Sequence, residues 1–207
     1  MTVKNLFKIL LAYGSWLPQI LFFEIYYLFK EYKRSSFKIL NNDRFTDNIP
    51  CPYFFLYKLR KFFLNTNIKS FIDLGCGNGR SISFFNNQQK INFYGIEYNA
   101  QIYKSCKKSF EKYDNVKIIN DDIMTFNFLE FDCDCFFISD PLKKKYDFEK
   151  LIKKINEKNM NNGKRIYFIT VNVDNNKREI FNNYKLIDSF QINNRGYYIY
   201  SNEKIKN

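Results

Sequence analysis

The chain has 207 residues, 45% of them hydrophobic and 20% aromatic, which is enough to bury a sizeable single core and excludes a disordered chain. Its formal net charge is +12, carried mostly by lysine, so anionic partners are attracted, although charge alone names none of them. With no histidine at all, the usual Ser-His and Cys-His nucleophile systems are excluded.

From Leu6 to Phe29 the chain is strongly apolar, interrupted by Lys8 and Glu24. The uncharged run from Ile9 to Phe23 is shorter than the roughly 20 residues of a spanning helix. Gly14-Ser15 and Pro18 predict a break, with Pro18 in the first turn of a second helix. Three readings stay open: a helical pair packed on the domain or on a second subunit, an interfacial membrane helix, and a true span. Lys30, Lys33, Arg34 and Lys38 follow, and would suit the cytoplasmic face of an anionic membrane. No small-residue cleavage site is evident, so a signal peptide is not expected. Residues 1–42 are therefore set apart as an apolar helical segment from a domain over 43–207.

From Lys69 onward strands and helices alternate. Strands are expected at Ser70–Leu74, Ile91–Tyr98, Val116–Asn120, Cys133–Ser139 and Arg165–Val173. Helices are expected over Arg80–Phe85, Ala100–Tyr113 and Phe148–Ile155, with a short one at best at Lys177–Asn182. Lys185–Ile192 and Tyr197–Tyr200 pair as a hairpin through Asn193-Asn194-Arg195-Gly196. The pattern implies a mostly parallel α/β sheet with helices on both faces and a terminal antiparallel edge. Cys51, Cys76, Cys106, Cys133 and Cys135 read as buried free thiols of a cytoplasmic protein, with no metal site. Cys133 and Cys135, two apart in the same strand, are expected on one face.

Ligands of such sheets bind beyond the carboxyl ends of the strands. The first strand runs into Asp73-Leu74-Gly75-Cys76-Gly77-Asn78-Gly79-Arg80, whose alternate glycines let the backbone turn sharply and approach a ligand. A dinucleotide fingerprint would put its third glycine where Arg80 stands. Glu97, with Tyr98 beside it, ends the second strand about 20 residues past the glycines, where a carboxylate can accept both hydroxyls of an adenosine ribose. Asp121, Asp122 and Ile123 end the third strand, and Asp140-Pro141-Leu142-Lys143 follows the fourth.

Asp73 with Gly75-x-Gly77-x-Gly79, then Glu97, then Asp122, resembles the class I methyltransferases that use S-adenosylmethionine (SAM). That resemblance implies a Rossmann-like seven-stranded sheet preceded by N-terminal helices. It implies a SAM site at Asp73, Gly75, Cys76, Gly77, Gly79, Glu97, Tyr98, Asp121, Asp122 and Ile123, with Asp122 at the adenine amino group and Ile123 on the ring. Ile49-Pro50-Cys51-Pro52-Tyr53 and the Asp73–Arg80 run resemble small bacterial methyltransferases of unassigned substrate, over roughly Asp43 to Val173. A weaker likeness is to membrane-anchored lysine methyltransferases of mitochondria. Asp140-Pro141 resembles half of the D/N-P-P-aromatic motif of amino-group methyltransferases, which makes Asp140 the expected acceptor-side residue. Leu142 and Lys143 replace the second proline and the aromatic, a departure that weighs against methylation of nucleic-acid bases. The expected activity is methyl transfer to an amine, a hydroxyl or a protein lysine. An inactive SAM-fold accessory module and an RNA or DNA methyltransferase are the alternatives.

Overall fold

Apolar runs rich in Phe and Ile pair side by side, and the intervening helices carry the chain back along the sheet. In the computed structural model, which describes residues 13–30, 43–46, 50–86, 91–128, 131–160 and 163–203, seven strands form one sheet. They are β1 (Ser70–Leu74), β2 (Asn92–Glu97), β3 (Val116–Asn120), β4 (Cys135–Ile138), β5 (Tyr167–Val171), β6 (Lys185–Ile192) and β7 (Arg195–Ser201). Their order is β3-β2-β1-β4-β5-β7-β6. β1 to β5 run parallel, and β7 lies antiparallel between β5 and β6. Strand order reverses between β1 and β4, which puts a ligand crevice above their carboxyl ends.

Successive residues of a strand point to opposite faces, and the core divides accordingly. Phe71, Phe93, Phe137 and Ile169 face one side. There they meet helices α2 (Tyr53–Leu64), α3 (Arg80–Asn86) and α4 (Ala100–Phe110). Ile72, Ile96, Phe136, Ile138 and Phe168 face the other, against α5 (Lys145–Met160) and the Phe181 turn that follows the short α6 (Asn175–Arg178). Each fully buried Phe or Ile contributes roughly 1.5–3 kcal/mol, so the two layers dominate stability.

Two local expectations are corrected. β4 begins at Cys135 rather than Cys133, and the Asp134 carboxylate just before it accepts the N–H of Lys69 at 2.8 Å and of Ser70 at 3.0 Å, and Lys164 Nζ at 2.7 Å. Cys133 therefore packs with Phe136 on one face and Cys135 with Phe137 on the other, not together. The hairpin turn is Asn193-Asn194 alone, since Ile192 pairs with Arg195. Asn193 takes the left-handed conformation (φ 52°), which Asn tolerates, and Gly196 joins β7 where a Cβ would press into the Phe190 carbonyl.

Ahead of the domain, a turn at Gly14–Trp16 leads into α1 (Leu17–Lys30), with Pro18 in its first turn as expected. The earlier helix of the pair, Lys8, Lys33, Arg34, Lys38 and the 42/43 boundary lie outside the described residues. Among the described residues no helix is long and apolar enough to cross a membrane.

Candidate active site

The glycine loop is built by backbone geometry. Gly75, Gly77 and Gly79 all have positive φ (85°, 54° and 75°), where a Cβ is strained. The amides of Gly75 and Cys76 both donate to the Ile96 carbonyl at 2.9 Å, and Gly79 N–H closes the turn on the Cys76 carbonyl at 2.8 Å. A Cβ at Gly75 would stand 3.2 Å from Pro141 Cβ, across the β1/β4 switch point. A Cβ on Gly79 would run into the Phe110 ring and lie 3.0 Å from Cys106 Sγ. Gly79 thus provides the close packing against α4 that a dinucleotide fold obtains one position later, which frees that position for Arg80.

Two expected carboxylates, Asp73 and Glu97, meet at the loop, and two more, Asp121 and Asp122, follow the end of β3. Asp73 is buried in β1, accepts the Ser81 hydroxyl and lines the cleft. Burial first, then the charge of Glu97, lifts its pKa to about 7, against the Ser81 hydrogen bond. Glu97 is 6% exposed, and its two oxygens accept the N–H of Gly77 at 2.9 Å and of Asn99 at 2.8 Å. Burial raises its pKa, while those two amides oppose the rise. Asn99 in turn caps α4 by accepting from Gln101 and Ile102, so Glu97 joins the loop to the start of that helix. Asp121 accepts the N–H of Asp122 at 2.7 Å. Asp122 accepts the N–H of Met124 at 2.8 Å and Arg44 Nη1 at 3.1 Å.

These residues border a cleft of about 890 Å³, open space at its mouth included. Asp73, Gly75, Cys76, Glu97, Tyr98 and Ile123 of the expected set line it. Gly77, Gly79, Asp121 and Asp122 are beside it rather than in its wall.

One wall was not foreseen. Arg44, Phe45 and Thr46 cross from the β3 end to the β4 end as a strap. Phe45 forms an antiparallel bridge with Leu142, Lys143 N–H donates to the Arg44 carbonyl at 2.9 Å, and Thr46 N–H donates to Pro141 O at 3.1 Å. The Phe45 ring lies 4.9 Å from that of Tyr98. No local pattern marks these residues; their hydrogen-bond partners are 78 to 99 positions away.

At the β4 end, Ser139 and Pro141 line the cleft, whereas the Asp140 side chain is engaged elsewhere. Asp140 holds φ at 42°, its carboxylate accepts Lys177 Nζ at 2.6 Å, and its carbonyl accepts the Thr46 hydroxyl at 2.6 Å. Burial raises the Asp140 pKa, and Lys177 opposes it. Lys177 is itself 4% exposed, donates to the Leu142 carbonyl at 2.7 Å, and sits 3.4 Å from Asp174.

Opposite, Arg80 ties the loop to the N-terminal helix. Its guanidinium pairs with Glu24 at 2.8 Å, donates to the Cys51 carbonyl at 3.3 Å and lies 4.3 Å from the Tyr53 ring. Glu24 also accepts Tyr53 N–H at 2.7 Å, capping α2 where Pro52 offers no side-chain acceptor. Tyr53 and Tyr146 do not line the cleft; Phe45, Thr46, Pro50 and Cys51 do.

Residues 71–173 match the family model described as a methyltransferase domain. No curated protein matches the chain by sequence. Among solved structures, an RNA methyltransferase of Salinibacter ruber in complex with S-adenosyl-L-homocysteine is similar, 14% identical, with a TM-score of 0.57 over 77% of this chain and 98% of that one. The PH0226 protein of Pyrococcus horikoshii OT3 is 12% identical, with a TM-score of 0.55 over 70% and 87%. A variant of MtNAS in complex with S-adenosylmethionine is 12% identical, with a TM-score of 0.51 over 72% and 62%.

Proposed function

Given that the chain belongs to the class I SAM-dependent methyltransferases, we propose that it moves a methyl group from SAM to an amine, a hydroxyl or a protein lysine. The observation that carries this reading is the convergence of the positive-φ glycine loop, Asp73, Glu97 and Ile123 on one cleft at the strand-order reversal. The residues fit the cofactor. A side chain at Gly75 would narrow the crevice against Pro141, and Glu97 keeps free lone pairs beyond its two amide bonds. Glu97 would accept the ribose hydroxyls, Asp73 would face the ammonium end, and Ile123 with Tyr98 would flank the adenine, whose amino group falls to Asp122.

SAM supplies a methyl group already activated by its sulfonium, so the protein's work is orientation rather than strong base catalysis. The Phe45 strap and Pro50-Cys51 wall the cleft on one side. Burial raises the Cys51 thiol's pKa, which keeps it protonated and poorly nucleophilic. Asp140, clamped by Lys177 and Thr46, holds the turn that presents Ser139 and Pro141 to the acceptor. Asp140 is in this reading a positioning residue. Nucleic-acid methylation is the second reading: the +12 charge favours it, and the missing second proline and aromatic after Asp140 oppose it.

Calorimetric titration with S-adenosylhomocysteine, with NADH in parallel, tests the cofactor. Micromolar binding of the former alone is expected, and binding of neither would overturn the reading. Labelled SAM is then offered with amine, hydroxyl, peptide and RNA acceptors. Cofactor binding without transfer to any of them would instead favour the accessory module.

A further inference from the structure

Helix α1 is apolar on two sides, and the domain covers only one. Ile20, Phe23, Glu24 and Tyr27 turn inward: Ile20 is buried, the Phe23 ring lies 4.7 Å from Tyr57, and Tyr27 stacks on Tyr53 at 4.9 Å. Phe22, Ile25, Tyr26 and Phe29 form the other side at spacing i, i+3, i+4, i+7 and are 64%, 55%, 49% and 78% exposed. Single exposed apolar residues are ordinary, but a contiguous aromatic stripe marks a contact surface.

The neighbouring helix extends it. Tyr57, Arg60, Lys61 and Leu64 are the exposed residues of α2 at the same helical spacing, and Tyr57 adjoins α1 through Phe23. α2 contains no acidic residue. The acid of α1, Glu24, is turned inward onto Arg80 and the start of α2. Beyond Phe29 the sequence runs through Lys30, Lys33, Arg34 and Lys38, with Glu31 among them. Among the described residues, the α1–α2 face therefore joins an apolar aromatic stripe to Arg60 and Lys61 with no outward acid.

We propose that this α1–α2 face docks on an anionic lipid bilayer, with Phe22, Ile25 and Phe29 entering the headgroup boundary and Arg60 and Lys61 meeting the phosphates. A second copy of the chain is a poorer occupant. A two-fold interface brings a patch onto itself, and among the described residues Arg60 and Lys61 would meet their own copies with no outward acid of α1 or α2 between them. α1 lies in the interface rather than across the membrane, because its 14 residues span about 21 Å against the ~30 Å of a hydrocarbon core. Tyr26 and Trp16, the latter 37% exposed, are the side-chain types enriched at that depth. Docking does not depend on the methyl-transfer reading and is tested apart from it.

The full chain is floated with vesicles of phosphatidylcholine alone and with phosphatidylglycerol added. Binding is expected to the anionic vesicles and to weaken as salt rises. Arg60→Gln with Lys61→Gln should weaken binding about 25-fold, at ~fivefold per cation near the surface. Phe22→Ser with Phe29→Ser should abolish flotation while S-adenosylhomocysteine affinity and the circular dichroism melt stay unchanged, which shows that the domain is folded. No flotation of the native chain with anionic vesicles would overturn the proposal, as would undiminished flotation of the Phe22/Phe29 variant. A stable dimer in light scattering that the same variant dissociates would assign the face to a second copy and overturn it too.

Discussion

Replacing Glu97 by Gln tests the site with almost no change of shape. The native carboxylate accepts two backbone amides, Gly77 N–H at 2.9 Å and Asn99 N–H at 2.8 Å, in a position 6% exposed. A glutamine amide has one accepting oxygen and one donating NH₂, so whichever way it turns, one of those N–H groups faces a donor. The loss is at least one charge-assisted hydrogen bond, roughly 1.5–3 kcal/mol. For a domain of this size each kcal/mol moves Tm by about 2–4 °C, so a fall of about 3–12 °C is expected. Cofactor affinity suffers separately, since a neutral acceptor replaces a charged one at the ribose hydroxyls. Another 1.5–3 kcal/mol corresponds to about 10- to 150-fold weaker binding of S-adenosylhomocysteine. The assay is calorimetric titration at pH 8, below the variant's melting range, with Tm measured in parallel. Native affinity in a destabilised variant would remove Glu97 from the ribose site. An unchanged Tm would refute the paired amide bonds themselves.

Asp73→Asn should flatten the pH dependence of stability. Burial lifts the folded Asp73 pKa to about 7 from an ordinary 3.8, so its contribution is whole below about pH 4 and is lost as pH rises through 7. Urea midpoints should therefore fall further from pH 5 to pH 8 in the native chain than in the variant; equal slopes would refute the assignment. Gly79→Ala places a methyl at φ 75° against Phe110 and Cys106, costing about 2–5 kcal/mol from backbone strain and overpacking together. Native-like urea unfolding of that variant would show that α3 and α4 do not meet at Gly79. Lys177→Met keeps the aliphatic stem but strips the Asp140 carboxylate and the Leu142 carbonyl of their ammonium partner, and should destabilise by roughly 3–5 kcal/mol. Adding Asp140→Ala should then cost less than the sum of the single changes, and strict additivity would exclude the pairing.

The sheet was legible because each central strand is a short apolar run bounded by turn residues, and Val116–Asn120 and Lys185–Ile192 agree to the residue. The glycine loop, Glu97 and Asp122 were legible for a related reason: each stands at a strand end, so a local pattern fixes its place in space. What escaped the sequence was held by distant partners. Asp134 reads as one more strand residue until its carboxylate meets the amides of Lys69 and Ser70, 65 and 64 positions earlier. Lys177 reads only as the first residue of a short helix, yet it is buried, with its ammonium held by the Asp140 carboxylate and the Leu142 carbonyl. The strap at Arg44–Thr46 carries neither helical nor strand period, and its order comes from single bonds to the β3 and β4 ends.

Glu24 shows how such a distant partner can reverse the meaning of a residue. In the sequence it is a charge that interrupts an apolar run and sets that run apart as a segment before the domain. In the structure it is the group that fastens the segment to the domain. One oxygen accepts the orphan amide of Tyr53 at the start of α2, and the other pairs with Arg80 at the head of the glycine-loop helix. An unpaired Arg80 would sit against the Tyr53 ring and the Cys51 carbonyl with its charge uncompensated in a largely desolvated place. The pairing therefore fixes which side of α1 turns inward. Once Glu24 is held, helical geometry sends Ile20, Phe23 and Tyr27 into the core and Phe22, Ile25, Tyr26 and Phe29 out of it. The exposed stripe is thus a consequence of how the cofactor cleft is buttressed, and the face available for docking is set by the same ion pair that shapes the cleft wall.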